Sequence, residues 1–592
     1  MFWKKYLFNN KELPVMADAV RVLALDMIQN ANSGHPGVAL GFADVITTLY
    51  ANHLKFNPVV PDWDARDKVI LSKGHASAML YATLHLAGYP ITRERLNSFR
   101  KIGGLPGHPE RDLKLGVEMT TGPLGQGLAS AVGLAMSHKI SGSKAKVFVL
   151  AGDGDLMEGV ALEAAEFAGT QKLRNLIVLW DNNDTTIDGK PVAPKNIPAK
   201  FRDIGWNTIE LNGNKPRQIN RALGVARRMR GPVLLACKTV IGLGSELAGT
   251  PAVHGSPLKY DDAMRLISKL SETFDDAAML WKKLVAVKTA PNISYAPETV
   301  SRVKAFKMPS LSAQKNYSTR EMFRAIIEEI VSKNPSLIIG GSADLAASTG
   351  VFPEAPLYVH YGIREHAMGA IMNGLAMGGL QPYGSTFLVF SDYMRGAMRM
   401  SAMMNLPVLY VFSHDSIALG EDGSTHQPVE QLPGLRLVPN LRVYRPSNMQ
   451  ELHLCLKQHY EAGGPSVLIL TRQGFSRVPD SSAADAAPYL LSGAASAKLR
   501  LVASGSEVQL ALSVQERLAA AGLKVAVWSM PVMGKMDDKA TNVFIEASAE
   551  HPCWADKVFN VTHYGESGPG ADVYKHYGFD AAHIAAEILK KL

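Results

Sequence analysis

The stretch from Lys146 to Gly189 limits the possible folds more than any other part of the chain. Val147 to Ala151 is an apolar, β-branched-rich run that reads as a buried strand. Gly152, Asp153 and Gly154 make a turn, and a helix-period segment follows from about Leu156 to Ala168. A second buried strand, Leu176 to Trp180, ends in Asp181, Asn182 and Asn183. Together these make a βαβ unit with an acid at the tip of the first strand and amides at the tip of the second. In parallel sheets, ligands collect at the carboxyl ends of strands, so Asp153 and Asn183 are expected to face one crevice. A carboxylate, an amide oxygen and a backbone carbonyl suit Mg²⁺ or Ca²⁺, and such ions usually bring a phosphate or diphosphate. Gly154 is expected to open a helix, whose bare N–H groups can take that anion. An acidic strand-end turn in an ordinary α/β domain also carries Gly-Asp-Gly; the second strand and its Asn pair separate the two readings.

With 592 residues, several domains are expected. A composition of 47% hydrophobic and 20% charged residues is that of an ordinary globular chain. Cys237, Cys455 and Cys553 are far apart, so no disulfide framework or CxxC metal pair can be read, which points to a reducing, cytoplasmic compartment. The start, MFWKKYLFNN, has neither a sustained apolar core nor a small-residue cleavage site, and does not read as a signal peptide. The most hydrophobic part, Ala367 to Leu380, is glycine-laced and too short to span a membrane, so no membrane partner is expected. The net charge of +8 comes from dispersed Lys and Arg without a basic stripe, which argues against nucleic acid and suits small anionic substrates.

Turns that carry a histidine recur along the first half of the chain. A helical segment, Met16 to Ala31, runs into Asn32-Ser33-Gly34-His35-Pro36-Gly37. Val69 to Leu71 runs as a strand into Ser72-Lys73-Gly74-His75. Gly107-His108-Pro109 and His254-Gly255-Ser256-Pro257 add two more. Thr120 to Gly127 is a glycine loop before a small-residue helix from about Leu128 to Lys139, where backbone can approach a ligand closely. One turn histidine says little. Four around an inferred diphosphate site suit proton transfer and anion contact near neutral pH.

SGHPG, LSKGHAS, GHPE, TTGPLGQG, GDGDLMEG and HGSP occur in the order found in transketolases. Gly-Asp-Gly, the gap and Asn-Asn resemble the thiamine-diphosphate-binding motif of that family, and the likeness covers nearly all of the chain. The resemblance implies an α/β protein of three domains with mostly parallel sheets flanked by helices, the first two of thiamine-diphosphate-binding fold. It implies a diphosphate- and metal-binding domain at 1–270, a linker at 271–315, a pyrimidine-binding domain at 316–485 and a C-terminal domain at 486–592. The linker is shorter than is typical of the family. The implied cofactors are thiamine diphosphate and Mg²⁺, with Ca²⁺ or Mn²⁺ as possible substitutes. The implied assembly is a homodimer with active sites at the interface, for which Glu158 and Glu163 are candidate carboxylates.

The resemblance also assigns site residues. Asp153, Asn183 and the Thr185 carbonyl would bind the metal. His75, His254 and the Gly154 amide would hold the diphosphate, with Gly122, Leu124, Glu158 and Asp344 also at the cofactor. In the second half, Tyr361-Gly362-Ile363-Arg364-Glu365-His366 precedes a small-residue helix, and Glu365 would be the cofactor-activating glutamate. A carboxyl group hydrogen-bonded to N1′ of the aminopyrimidine favours the imino tautomer, whose 4′-nitrogen can take the C2 proton. Burial would keep that carboxyl protonated. Phe387, Phe390 and Tyr393, spaced by three on one helical face, would form the aromatic wall around the pyrimidine. His414, Arg472, Arg320 and Ser348 would clamp the substrate phosphate, the arginines through bidentate contacts. Asp422 would read a sugar hydroxyl; His35, His108, His254 and His426 would contact reacting hydroxyls and move protons.

Local signals complete the reading. Thr319 is expected to cap a helix whose apolar face holds Met322, Phe323, Ile326 and Ile327. The C-terminal domain reads as Leu499 to Ala503, a helix from Glu507 to Ala521, Val525 to Trp528 and a last helix from about Ala581 to Lys591. Its Gly565-Glu566-Ser567-Gly568-Pro569-Gly570 run looks like a phosphate loop but lacks the closing Lys-Ser pair, so a plain turn is expected. Asp184 and Thr185 stand where transketolases commonly have Gly and Ile, and Asp tolerates a left-handed backbone better than most. The stretch Gly249 to Val253 lacks a further histidine often found there. The implied reaction is transfer of a two-carbon ketol unit from a ketose phosphate such as xylulose 5-phosphate to an aldose phosphate such as ribose 5-phosphate. Formaldehyde as acceptor, deoxyxylulose-phosphate synthesis and a weakened, binding-only relative are the alternatives.

Overall fold

The computed structural model describes residues 6–192, 196–289, 303–310, 316–474 and 478–590. The chain divides into two compact units, Met1–Val300 and Ser301–Leu592. The first is built on a parallel sheet of β1 (Lys68–Leu71), β2 (Val147–Gly152), β3 (Leu176–Asn182), β4 (Asn207–Asn212) and β5 (Val233–Lys238), in the order β1-β2-β3-β5-β4. The unbroken apolar runs of β1, β2, β3 and β5 follow from burial on both faces, whereas β4, at the edge, is more polar and more exposed. Val147 pairs with Leu176 and Gly152 with Asp181, so the turn holding Asp153 and the tip holding Asn183 leave the sheet side by side.

Helices carry the turn histidines to the same end of this sheet. Glu12–Ala31 stops at Asn32, which is left-handed with φ 45°, and His35 directly precedes the helix Pro36–Thr48, with Pro36 at its first position. The glycine loop ends at Gly125, φ 80°, and leads into Gln126–Ile140. After β2 the chain does not enter a helix at Gly154, as the sequence suggests. It makes a short 3₁₀ turn, Asp155–Met157, and the α-helix starts at Gly159 and runs to Thr170. The turn exists because the Asp155 side chain bonds back to the Gly152 N–H at 2.9 Å.

The expected linker also differs over its first part. Phe274–Lys288 is a helix, and Ala277, Trp281 and Leu284 on one face are buried in the first unit's core. Trp281 donates from Nε1 to the Met16 carbonyl at 3.1 Å. Residues 290–302 and 311–315, which hold the rest of TAPNISYAPETV and the end of the expected linker, lie outside the described residues.

Among the described residues the second unit holds two sheets. The first is parallel: β6 (Ile338–Ser342), β7 (Tyr358–His360), β8 (Gln381–Phe387), β9 (Leu409–Ser413), β10 (Arg442–Tyr444) and β11 (Ser466–Leu470), in the order β10-β11-β9-β8-β6-β7. The other contains β12 (Tyr489–Ser492), β13 (Leu499–Ala503), β14 (Val525–Ser529), β15 (Thr541–Ile545) and β16 (Lys557–Phe559), in the order β12-β14-β13-β15-β16, with only β12 antiparallel. This is the expected α/β architecture of mostly parallel sheets flanked by helices. The helix Thr319–Lys333 is capped one residue earlier than its sequence suggests: Ser318 and Glu321 form a reciprocal capping box. Thr319 instead faces inward, where its N–H donates to Thr471 Oγ1 at 2.9 Å.

Trp281 is 1% exposed and ties the helix Phe274–Lys288 to the first core. Trp281→Ala is therefore expected to destabilise the first unit by about 3–5 kcal/mol in urea denaturation; an unchanged midpoint would detach that helix from the core.

Candidate active site

In the first unit the carboxyl ends of β1, β2, β3 and β5 surround a cavity of about 480 Å³. His35, His75, His108 and His254 line it together with Asp153 and Asn183. The four imidazoles form one cluster: ring centroids are 5.0 Å apart for His35 and His75, 5.3 Å for His75 and His254, 6.0 Å for His35 and His254 and 6.4 Å for His35 and His108. Burial pulls all four below the usual imidazole range, with mutual repulsion and Arg100 adding to the effect at His35, which falls to about 4. At neutral pH the cluster is uncharged in the free protein. The Nδ1 atoms of His35 and His254 are buried with no hydrogen-bond partner among the described residues.

Asp153 lines this cavity together with Asp155, Glu158, Asp181 and Asp188. Its Oδ1 accepts from Trp180 Nε1 at 3.0 Å, while Oδ2 is buried with no hydrogen-bond partner among the described residues. Burial, reinforced by neighbouring Asp181, raises its carboxyl to about 6. Asn183 Oδ1 accepts from the Thr185 N–H at 3.0 Å, which folds the loop back toward Asp153. Asp184 between them is left-handed, φ 58°, as its identity suggests, and its side chain is exposed. Among the described residues no group of three or more His, Cys, Asp or Glu is arranged to hold a metal ion. The donor set on offer is one orphaned carboxylate oxygen with amide and carbonyl oxygens nearby, which fits a hard cation that keeps some of its water.

Several residues of this site carry no sequence signal of their own. Lys73 is buried and pairs with Asp181 at 2.7 Å, and Thr239 donates to the other oxygen of Asp181. Lys73 lies two residues before His75, yet only the fold reveals its partner. Asp155, the second acid of Gly-Asp-Gly-Asp, is fully buried and accepts from Ser72 Oγ at 2.7 Å and the Gly125 N–H at 2.9 Å. It ties the glycine loop to the tip of β1. The loop's close approach is real at Gly74, where an added β-carbon would stand 2.8 Å from the Gly122 nitrogen, and at Gly154, where one would stand 2.9 Å from Leu124 Cδ1. Gly122, Leu124, Gly154 and Glu158 all line the cavity, and Thr185 joins them.

The second unit gathers the remaining candidates at the carboxyl ends of its six-stranded sheet. Glu365 is the first residue of the helix Glu365–Met377, buried, and its Oε1 accepts from Thr386 Oγ1 at 3.0 Å. Phe387 closes β8 and a 3₁₀ helix, Leu388–Met394, follows. In such a helix residues three apart eclipse, which stacks Phe387 on Phe390 (5.7 Å, 17°) and sets Tyr393 6.1 Å further on. Tyr393 is exposed, unlike Phe387. His426 meets the same wall edge-on, 5.4 Å from Phe390.

The phosphate-clamp candidates converge on the tip of β9. His414 is left-handed, φ 62°, with its ring centroid 3.7 Å from that of Phe387 and Nδ1 2.8 Å from Ser413 Oγ. Burial, then the charges of Arg320 and Arg472, push its imidazole down to about 3. Arg320 Nη1 donates to the Ser348 carbonyl at 2.6 Å, so the backbone of Ser348 orients the guanidinium. Arg472 Nη1 donates to the Leu419 carbonyl at 2.6 Å. Two cations stand beside a neutral imidazole, and with Glu421 3.8 Å from Arg472 the cluster keeps a net positive charge. Asp344, left-handed at φ 63°, and Asp422 are both exposed.

The histidine cluster makes a pH signature. Its folded-state pKa values lie below the unfolded value near 6.5, so the stability it allows is present above pH ~6.5 and is lost as pH falls toward the folded values, about 4 for His35. Melting temperature is expected to fall over that window, and inorganic pyrophosphate is expected to flatten the fall by favouring the charged imidazoles. A slope identical in parent and a His35→Asn, His254→Asn double variant would remove the cluster from this account.

Comparisons with known proteins agree with this geometry. Residues 14–325 match the family described as transketolase, thiamine diphosphate binding domain. Residues 315–476 match the transketolase pyrimidine binding domain, and residues 488–580 the transketolase-like C-terminal domain. The chain is 38% identical to the transketolase of Sinorhizobium medicae, over 98% of this chain and 93% of the relative. It is 36% identical to transketolase 1 of Saccharomyces cerevisiae, over 97% and 96%. Among solved structures, it is similar to a transketolase from Campylobacter jejuni (TM-score 0.87, 35% identity, covering 98% of this chain and 100% of that one). It is also similar to one from Pichia stipitis in complex with sedoheptulose 7-phosphate (TM-score 0.85, 32% identity, covering 98% and 97%).

Proposed function

This chain belongs to the transketolase family, and we propose that it moves a two-carbon ketol unit from a ketose phosphate of the xylulose 5-phosphate type to an aldose phosphate of the ribose 5-phosphate type. Thiamine diphosphate, when bound, supplies the carbanion chemistry that breaks and remakes the carbon–carbon bond. The observation that carries the reading is the orphaned, buried Asp153 Oδ2 beside four neutral imidazoles around one cavity. That is a place for a cation and an anion together.

Asp153, Asn183 and the Thr185 carbonyl would hold a divalent cation, Mg²⁺ first, with Ca²⁺ or Mn²⁺ as substitutes. His75, His254 and the Gly154 amide would bind the diphosphate, and Gly122 and Leu124, which line the cavity, would contact the cofactor. Glu365, set by Thr386, would hold a proton at N1′ of the aminopyrimidine, against the wall of Phe387, Phe390 and Tyr393. His35, His108, His254 and His426 would accept and return hydroxyl protons. Low proton affinity at His35 means that it enters neutral and able to accept. Arg320, Arg472, His414 and Ser348 would take the sugar phosphate, and Asp422 a hydroxyl. The sugar-phosphate complex of the Pichia stipitis relative supports that substrate class. The same cationic cluster favours a phosphorylated acceptor over formaldehyde, and the presence of Asp153 and Glu365 favours an active enzyme over a binding-only relative.

The test is a steady-state assay with xylulose 5-phosphate, ribose 5-phosphate, thiamine diphosphate and Mg²⁺. Sedoheptulose 7-phosphate and glyceraldehyde 3-phosphate are expected, and Glu365→Ala is expected to lower kcat by roughly 10²- to 10⁴-fold while cofactor still raises the melting temperature. No product from a parent that binds cofactor would refute the pentose-phosphate reading and direct the assay to formaldehyde.

The reading includes a homodimer in which each site draws on both chains. Asp153→Ala and Glu365→Ala proteins, each inactive alone, are then expected to regain about a quarter of parent activity after subunit exchange, since half of the dimers would hold one intact site. Mixtures as inactive as their components would place each site within a single chain.

A further inference from the structure

The Gly565–Gly570 run, which resembles a phosphate loop in sequence, lies against the loop that carries Asp422 and His426. Gln427, 2% exposed, donates from Nε2 to the carbonyls of Gly420 and Glu566, both at 3.0 Å. It therefore closes the loop on itself and pins it to the C-terminal domain with one amide. Gly420 is left-handed, φ 88°, and a β-carbon there would stand 2.9 Å from the Gly568 carbonyl oxygen and from the Gly570 nitrogen. On the other side, a β-carbon at Gly570 would collide with the carbonyl of Ala418, and one at Gly565 with the Gln427 amide. At Gly420 and Gly570 the two backbones touch directly.

The ends of the loop are held by the same domain. Ile417 and Val429 are buried in the C-terminal core with Val573, Phe579 and Ile584. The Val429 carbonyl accepts from the Ala549 N–H at 2.9 Å. Ahead of Ile417, the Tyr574 hydroxyl is 2.9 Å from Ser416 Oγ and 2.7 Å from Glu507 Oε1. Asp415, next to His414, pairs at 2.6 Å with the buried Arg445, which also pairs with Glu507.

We propose that the Gly565–Gly570 run and Tyr574 are positioning elements for the substrate loop, so that the C-terminal domain sets how Asp422 and His426 meet the sugar. The proposal rests on the substrate roles given to those two residues above. It gives the C-terminal domain a part in donor recognition without contact with substrate, cofactor or the reacting atoms.

The test uses full-length enzyme loaded with thiamine diphosphate and Mg²⁺. Tyr574→Phe removes one hydroxyl, and Gly570→Ala pushes on the Ala418 backbone. Both are expected to lower kcat/KM for xylulose 5-phosphate, Gly570→Ala by about tenfold to a hundredfold, with cofactor affinity unchanged. Leu518→Ala, a cavity in the same core away from the loop, is expected to lower the melting temperature and leave kcat/KM at the parent value. In an Asp422→Ala background the loss from either loop-facing variant is expected to shrink or vanish, because both act through the same contact. Parent-like kcat/KM in folded Tyr574→Phe and Gly570→Ala, additive losses, or an equal loss in Leu518→Ala would each overturn the proposal. Parent-like activity in Asp422→Ala would instead overturn the substrate reading beneath it.

Discussion

Lys73 and Asp181 meet at 2.7 Å with both side chains almost wholly out of water. Moving such charges from water costs several kcal/mol per ion, recovered only with good geometry and further hydrogen bonds. Thr239 and Asn183 supply those bonds to Asp181. The pair lies at the carboxyl end of the first sheet, where Asp155 is also buried and Asp153 half-buried. Without Lys73, three carboxylates would share one crevice and repel one another. With it, Asp181 is neutralised, Asp155 is held by the Ser72 hydroxyl and two backbone N–H groups, and Asp153 keeps one buried oxygen with no hydrogen-bond partner among the described residues. The lysine charge also helps hold His75 and His254 neutral until an anion arrives.

The same sheet geometry is used again in the second unit. Asp344 follows β6, Phe387 closes β8, His414 follows β9 and Arg472 follows β11. Parallel strands point their carboxyl ends one way, so residues scattered over more than a hundred positions reach one edge. Glu365 comes to that edge differently. It starts a helix, where the positive end of the backbone dipole would stabilise a carboxylate, yet it is buried against Thr386.

What the sequence made legible divides along physical lines. β2, β3, β9 and β11 were readable because apolar runs bounded by Gly, Asp or Arg have few other uses. The turn histidines were readable because Pro and Gly fix the turns that present them. Local competition was harder to read: Ser318 took the cap expected of Thr319, because Glu321 lies three residues beyond Ser318 and completes a box. Gly154 looked like a helix start, but Asp155 turned back to Gly152 and delayed the helix. The helix Phe274–Lys288 looked like linker because its apolar face is narrow, and only docking against Met16 shows why Trp281 is there. Lys73, Asp155, Trp180 and Thr239 remained unread because their partners lie far along the chain.

Glycine-rich runs illustrate the limit of motif reading most sharply. A phosphate loop and the Gly565–Gly570 run solve one steric problem: a backbone must come closer to its neighbour than a β-carbon permits. In a phosphate loop the neighbour is an anion. Here it is another stretch of backbone, at Ala418 and Gly420. The sequence shows the permissive residues but not what approaches them. Once the neighbour is known, the glycines on the loop side follow as well. Gly420 and Gly423 are left-handed, φ 88° and 77°, and pinning at Gly420 and Gln427 leaves only a short tip in which Glu421, Asp422, Ser424 and Thr425 are exposed. Ordering each backbone residue costs about 1–2 kcal/mol, so a tip shortened by its anchors leaves far less entropy for the sugar to remove when it binds than a loop free from Ser416 to Pro428 would.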